Sequence, residues 1–264
     1  MMNNWQFLEE RVTPYKESFE RGLQNSLGVQ WHLLQEILRT NRETVFGREY
    51  GFESIGNYLE FCQRVPIHSY EALHPYIQRI AAGEANILSS DPVVAFEVTG
   101  GSSGGAKLIP YTSKGLAGFR QAIFPWLADL LQQRRRIKLG KSYWAISPVR
   151  SALALTTNGV NIGMSDAAYF GQELAGTITS LLAVPPEFAE ISNVAEWRYL
   201  TALFLLATAD LTLISVWSPT FLLQLLSETK NEADRLITDI ARGKGGLPAN
   251  PQRAKLLKTA ISGG

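Results

Sequence analysis

Apolar side chains in the first forty residues recur at spacings of three and four. Trp5, Leu8, Val12, Tyr15 and Phe19 form one series, and Val29, Leu33, Leu34, Ile37 and Leu38 form a second. That period belongs to a helix with one buried face. It predicts two amphipathic helices, the first broken or restarted at Thr13-Pro14, where threonine reads as an N-cap and proline as the first helical residue. Gly47 and Gly51 bracket a turn-rich segment. Ser54 is expected to cap a helix that reaches Arg64, buries Tyr58 and Phe61, and ends at Val65-Pro66. Ser69 opens a further helical stretch, interrupted at Pro75 and closed near Gly83.

Past residue 92 the pattern shifts towards strands. Apolar runs at 93–98 and 107–111 read as two strands. Residues 113–136 read as a helix kinked at Pro125, with Phe119, Ile123 and Trp126 on one face. Strands are expected at 142–146, 180–184 and 211–216, and a helix at 194–207. Ser218-Pro219 opens a helix carrying Leu222, Leu223 and Leu226, and two more helices follow at 234–242 and 252–261. The stretch 200–226 is apolar enough to raise the question of a membrane span. Asp210 and Pro219 interrupt it, and its period changes between them. A span needs about 20 mainly apolar residues in one helix, so a buried helix–strand–helix crossover is the reading adopted, with Asp210 in the turn before the strand. The expected fold class is therefore α/β and layered: a mainly helical region at 1–92, then an α/β portion of the same large domain at 93–264.

Composition narrows the function classes. The chain has 264 residues, 45% hydrophobic and 19% charged, enough for a sizeable core in one large domain or two small ones. A formal net charge of +1 gives no global attraction for nucleic acid or an acidic membrane surface. The basic run Arg134, Arg135, Arg136, Lys138 and Lys141 reads as a solvated helix end. Cys62 is the only cysteine, which excludes an intrachain disulfide and suits a reducing compartment. The N-terminal MMNNWQFLEERV has neither a basic nor an apolar signal region, so a cytoplasmic location is expected. His32 reads as structural. His68 and His74 lack the cysteines or acidic cluster of a zinc site, so no metal ligands are assigned.

The candidate chemistry lies between the first two strands. Thr99 to Gly105 is built only of threonine, glycine and serine, and Lys107 follows. Glycine admits left-handed backbone and close approach by a ligand, and successive N–H groups in such a turn form a nest for anionic oxygens. One reading is a phosphate cradle; the other is a flexible hairpin loop. A Walker-type loop is excluded, because Ala106-Lys107-Leu108 supplies no magnesium hydroxyl and displaces the lysine. The esterase pattern G-x-S-x-G fits twice, with Ser102 or Ser103 as nucleophile. That elbow requires a strand-to-helix turn and a histidine later in the chain. Here a strand follows, and all three histidines come earlier.

The stretch TGGSSGGAKLIP from Thr99 resembles the first nucleotide-binding motif of adenylate-forming enzymes. More narrowly, it resembles the Gretchen-Hagen-type (auxin-responsive promoter) acyl-acid amido synthetases. TVFGREYGF from Thr44, RVPI from Arg64, PYI from Pro75, AGE from Ala82 and DLTLIS from Asp210 resemble landmarks of the same family. The loop departs from the family at Gly100, where a serine is usual after the first hydroxyl residue. The resemblance implies a ligase that uses ATP and magnesium to adenylate a carboxylic acid, then passes the acyl group to an amine such as an amino acid. Thr99, Gly100, Gly101, Ser102, Ser103, Gly104, Gly105 and Lys107 would bind the nucleotide, Phe119, Ile123 and Trp126 would line the acyl pocket, and no side chain is assigned as catalytic. The family's chain is about twice this long, so this one reads as a truncated N-terminal portion lacking a C-terminal segment. A non-catalytic nucleotide-binding remnant is the alternative.

Overall fold

The computed structural model describes residues 3–99, 107–144, 154–164, 169–216 and 218–262. The chain divides into two compact units: Val12–Ala128 with Leu153–Met164, and Met1–Arg11 with Asp129–Ala152 and Ser165–Gly264.

The unit containing Val12–Ala128 begins within helix α1 (Asn4–Leu23), which runs through Pro14 without the expected break. Proline there forfeits one hydrogen bond, to the carbonyl four residues earlier. Burial on both sides offsets that loss: Trp5, Leu8 and Val12 are buried, and Tyr15 meets Phe124 edge-on with centroids 4.9 Å apart. Helix α2 (Ser26–Asn41) is capped by Asn25, whose side chain accepts from Gly28 N–H. Its inner face packs Leu38 with Phe52 and Ile55, while Val29, Leu33 and Ile37 remain exposed. Helix α3 (Val45–Glu49) is capped by the buried Thr44.

Ser54 does not cap the next helix. It sits in the 3-10 turn Phe52–Ser54, and its hydroxyl donates back to Gly51 O. Asn57 caps helix α4 (Tyr58–Arg64) instead, accepting from Glu60 N–H while Glu60 reaches back to Gly56 N–H at 2.8 Å. This reciprocal arrangement satisfies two free N–H groups, which a lone serine cannot do. Tyr58 therefore points outward, and Phe61 alone joins the Leu38 cluster. Helix α5 (Tyr70–Ala81) starts where expected, with Ser69 as cap, but Pro75 lies inside it without interrupting it. Gly83, at φ 98°, follows its end.

Strand β1 (Val93–Thr99) pairs antiparallel with β2 (Lys107–Thr112) and parallel with β5 (Asn161–Ile162), which in turn pairs with β4 (Ala154–Leu155). The sheet order is β2-β1-β5-β4. Helix α6 (Ser113–Gln133) follows β2 at once, its first turn capped by Thr112 Oγ1 accepting from Gly115 N–H at 3.0 Å. Pro125 is buried within it.

The other unit is built on β3 (Lys141–Trp144) and β6 (Leu211–Ser215), which run parallel. The strand expected at 180–184 is mostly absent. Helix α7 (Gln172–Leu181) takes its first two residues, because Leu174, Ile178 and Leu181 are buried at helical spacing. Only Leu182 bridges to Ser142. Helices α8 (Val194–Ala207), α9 (Pro219–Asn231), α10 (Ala233–Arg242) and α11 (Pro251–Ser262) enclose a core of Tyr143, Val184, Ala202, Leu203, Leu225, Leu236, Ile240 and Ala254. In α9 Leu225 is buried and Phe221 packs against the same core; Leu223 and Leu226 are exposed. Of the basic run, Arg134, Arg135 and Arg136 are exposed, whereas Lys138 pairs with Glu9 at 2.6 Å and Lys141 donates to Ser180 O. Among the described residues no helix is long and apolar enough to cross a membrane.

Candidate functional site

Strand β1 is held on both sides over Ala95 and Phe96, which are buried at 4% and 0% exposure. A strand fixed in this way makes a rigid stem, and its last residue, Thr99, is paired in register with Lys107, the first of β2. The glycine–serine segment is therefore the connection of an antiparallel hairpin. Gly100, Gly101, Ser102, Ser103, Gly104 and Gly105 lie outside the described residues; Thr99 and Lys107 mark the two ends of the connection.

The far stem is anchored by α5. Tyr70 accepts from Leu108 N–H at 2.8 Å, and its hydroxyl lies 3.3 Å from Leu108 O as donor. The Tyr70 ring also faces Lys107 Nζ, 5.1 Å from its centroid, and stacks at a tilt with His74 at 5.7 Å. Glu71 Oε1 lies 3.6 Å from Lys107 Nζ. The Glu71 carboxyl is held below its ordinary range, first by a backbone N–H of its own residue, then by the Ser69 hydroxyl and the Lys107 charge. On the inner stem, Glu97 Oε1 accepts from Met164 N–H at 2.8 Å and Gly163 N–H donates to Phe96 O at 2.6 Å, tying the β5 end to β1.

Sequence reasoning did not identify Tyr70, Glu71 or Glu97. Local pattern marks only the Ser69 cap beside the first two. Their approach to β2 spans 36 to 38 positions of chain and leaves no periodic trace.

Phe119, Ile123 and Trp126 share one face of α6, the first two half-buried and Trp126 46% exposed. The histidines are separated from one another in role. His68 exchanges a hydrogen bond with the Tyr50 hydroxyl at 2.8 Å, His74 lies against Tyr70, and His32 is exposed. A strand, not a helix, follows the connection that carries Ser102 and Ser103, whereas an esterase elbow runs from strand into helix.

Among the described residues, the paired ends of the connection carry the Thr99 hydroxyl and the Lys107 ammonium. Among the described residues no group of His, Cys, Asp or Glu is arranged to hold a metal.

Residues 15–257 match the GH3 family N-terminal domain. The chain is 34% identical over 106 residues to the 4-substituted benzoates-glutamate ligase GH3.12 of Arabidopsis thaliana, covering 38% of this chain and 18% of that protein. It is 35% identical over 104 residues to the indole-3-acetic acid-amido synthetase GH3.8 of Oryza sativa subsp. indica, covering 39% and 17%. Among solved structures, the GH3.15 acyl acid amido synthetase superposes with a TM-score of 0.76 at 20% identity, over 94% of this chain and 47% of that one. The chain thus spans about half the length of the solved structures it matches.

Proposed function

We propose a function from the premise that this chain belongs to the GH3 family, whose N-terminal domain accounts for residues 15–257. It is the N-terminal part of an ATP-dependent ligase that joins a carboxylic acid to an amine such as an amino acid. The single observation that supports this most is the hairpin: a hydroxyl- and glycine-rich connection, closed by the Thr99–Lys107 pair, on a strand held on both sides.

In this reading the loop from Thr99 to Gly105 and Lys107 hold the phosphates of ATP. A carboxylate oxygen attacks the α-phosphorus, the bond to the bridging oxygen breaks, and pyrophosphate leaves. The amine nitrogen then attacks the acyl carbon, loses a proton, and AMP leaves. The residues named here contribute position and charge neutralisation, and none acts as a nucleophile. Magnesium, when bound with the nucleotide, would offset phosphate charge. Phe119, Ile123 and Trp126 form part of the apolar surface that receives the acid. The reaction takes place in the cytoplasm.

The test is equilibrium dialysis of the full chain against labelled ATP with magnesium, beside acid-dependent ATP–pyrophosphate exchange. The Ser102→Ala/Ser103→Ala double variant should lose binding by about tenfold or more, the loss of two hydrogen bonds to charged oxygens. Equal binding by both proteins would remove the loop from the function. ATP binding without acid-dependent exchange would assign the chain a nucleotide-holding role alone.

A further inference from the structure

We infer that Tyr70 and Glu71 set the position and the resting counter-charge of Lys107, so that Glu71 and an incoming polyphosphate compete for one ammonium group. This rests on the nucleotide-binding reading above and adds a positioning residue and a built-in competitor to it.

Strand β2 lies at one end of the sheet, so its outward N–H and C=O groups need partners from outside the ladder. At Leu108, one residue past Lys107, the Tyr70 hydroxyl serves both groups. It thereby does the work of a neighbouring strand at the point where the loop rejoins the sheet. The same ring presents its face to Lys107 Nζ at 5.1 Å, where the negative quadrupole attracts the ammonium. The next residue, Glu71, supplies the counter-charge at 3.6 Å. Two consecutive residues at the start of α5 thus fix the backbone beside Lys107, the direction of its side chain and its charge partner.

The two halves of the ion pair differ in freedom. The Lys107 side chain is 32% exposed and flanked by the ring, whereas the Glu71 side chain is 74% exposed. Glu71 can swing into water while Lys107 stays. Exposed pairs at this separation are weak, and several phosphate charges on one ligand outcompete a single carboxylate. Glu71 also stays ionised to below the ordinary carboxylate range, so displacement comes by rotation and not by protonation near neutral pH.

The experiment uses the full chain and inorganic tripolyphosphate as probe, with affinity read by calorimetry. The Lys107 ammonium is followed by NMR of 13C-methylated lysines and assigned with Lys107→Arg. Glu71→Gln should tighten tripolyphosphate binding by about two- to fivefold, and the gain should shrink as salt rises. Tyr70→Phe should keep the ring-current shift of the Lys107 methyl groups and weaken binding by about threefold, while Tyr70→Leu should remove that shift and weaken binding by about tenfold. A Lys107 resonance unchanged in Tyr70→Leu would overturn the placement of the ammonium against the ring. Equal affinities in the original chain, Glu71→Gln and Tyr70→Phe would overturn this inference and leave the loop reading standing; these two variants decide the matter even if Tyr70→Leu fails to fold. Absence of tripolyphosphate binding by the original chain would overturn both.

Discussion

Removal of one hydroxyl, in Tyr199→Phe, tests how α8 and α10 are joined. Tyr199 donates to Asp239 Oδ2 at 2.6 Å, and Asp239 is only 7% exposed. Burial first, and then this bond, push the Tyr199 phenol well above its ordinary range; the same bond is the chief cause that holds the Asp239 carboxyl below its own. A hydrogen bond to a buried charge is worth about 1.5–3 kcal/mol. Lys244 remains 3.1 Å from Asp239, but its side chain is 58% exposed and offsets little of the loss. Arg235 lies over the Tyr199 ring at 4.1 Å, a contact phenylalanine keeps, so the substitution isolates the hydroxyl. The expected cost is about 2 kcal/mol. With an unfolding entropy of about 2.1 cal/mol/K per residue, that is a fall in Tm of about 4 °C for a chain of this length.

The assay is calorimetric unfolding of the original chain, Tyr199→Phe, Asp239→Ala and the double variant. The coupling energy should be about 1.5–2 kcal/mol. Its pH dependence has a defined sign. A carboxyl whose pKa is lowered in the folded state contributes stability above its unfolded value, ordinarily 3.8, and loses it as pH falls through the lower folded value. The coupling should be steady from neutral pH to about pH 5 and vanish on further acidification. A Tyr199→Phe shift under about 1 °C, or a coupling that grows as pH falls below 3.8, would refute the reasoning.

Three further outcomes follow from single contacts. A Cβ on Gly47 would stand 2.0 Å from Asn41 O, so Gly47→Ala should cost about 4 kcal/mol or more in thermal unfolding; a loss under 1 kcal/mol would contradict the tight Thr44-capped turn. Pro14→Ala should raise stability by about 1–2 kcal/mol, since alanine restores the missing helical bond at some cost in unfolded-state entropy, and a lowered Tm would mean that α1 is not one helix. The hydrogen bond to Glu49 is the main reason the Tyr76 phenol is pushed up to about 12, so Glu49→Gln should bring its ultraviolet titration back towards 10. Stability from that contact is complete below pH 10 and is lost as pH rises towards 12.

Much of the local structure was legible in the residue pattern. The α/β class, the helices at Val194–Ala207 and Tyr70–Ala81, and the strands flanking the glycine loop all rest on spacing and caps within a few residues. The GH3 resemblance read from TGGSSGGAKLIP and its companion segments agrees with the family match over residues 15–257. Errors arose where a local signal met a distant partner. Pro14 and Pro75 signal breaks, yet both sit in unbroken helices, the first between the buried Val12 and Tyr15 packed on Phe124, the second two residues before the buried Ile77. Residues 180–181 read as strand but complete the buried face of α7.

By itself, the order of amino acids marked several element starts, such as the Ser69 cap and the two strands beside the glycine-rich connection, because capping, turn formation and periodicity act over about four residues. Only the tertiary structure decided that Leu38 is buried while Leu33 is not, that β1 has a parallel neighbour in β5, and that Tyr70 and Glu71 meet Lys107. Those choices depend on which surfaces remain to be covered once the elements exist, and no short window of chain holds that information.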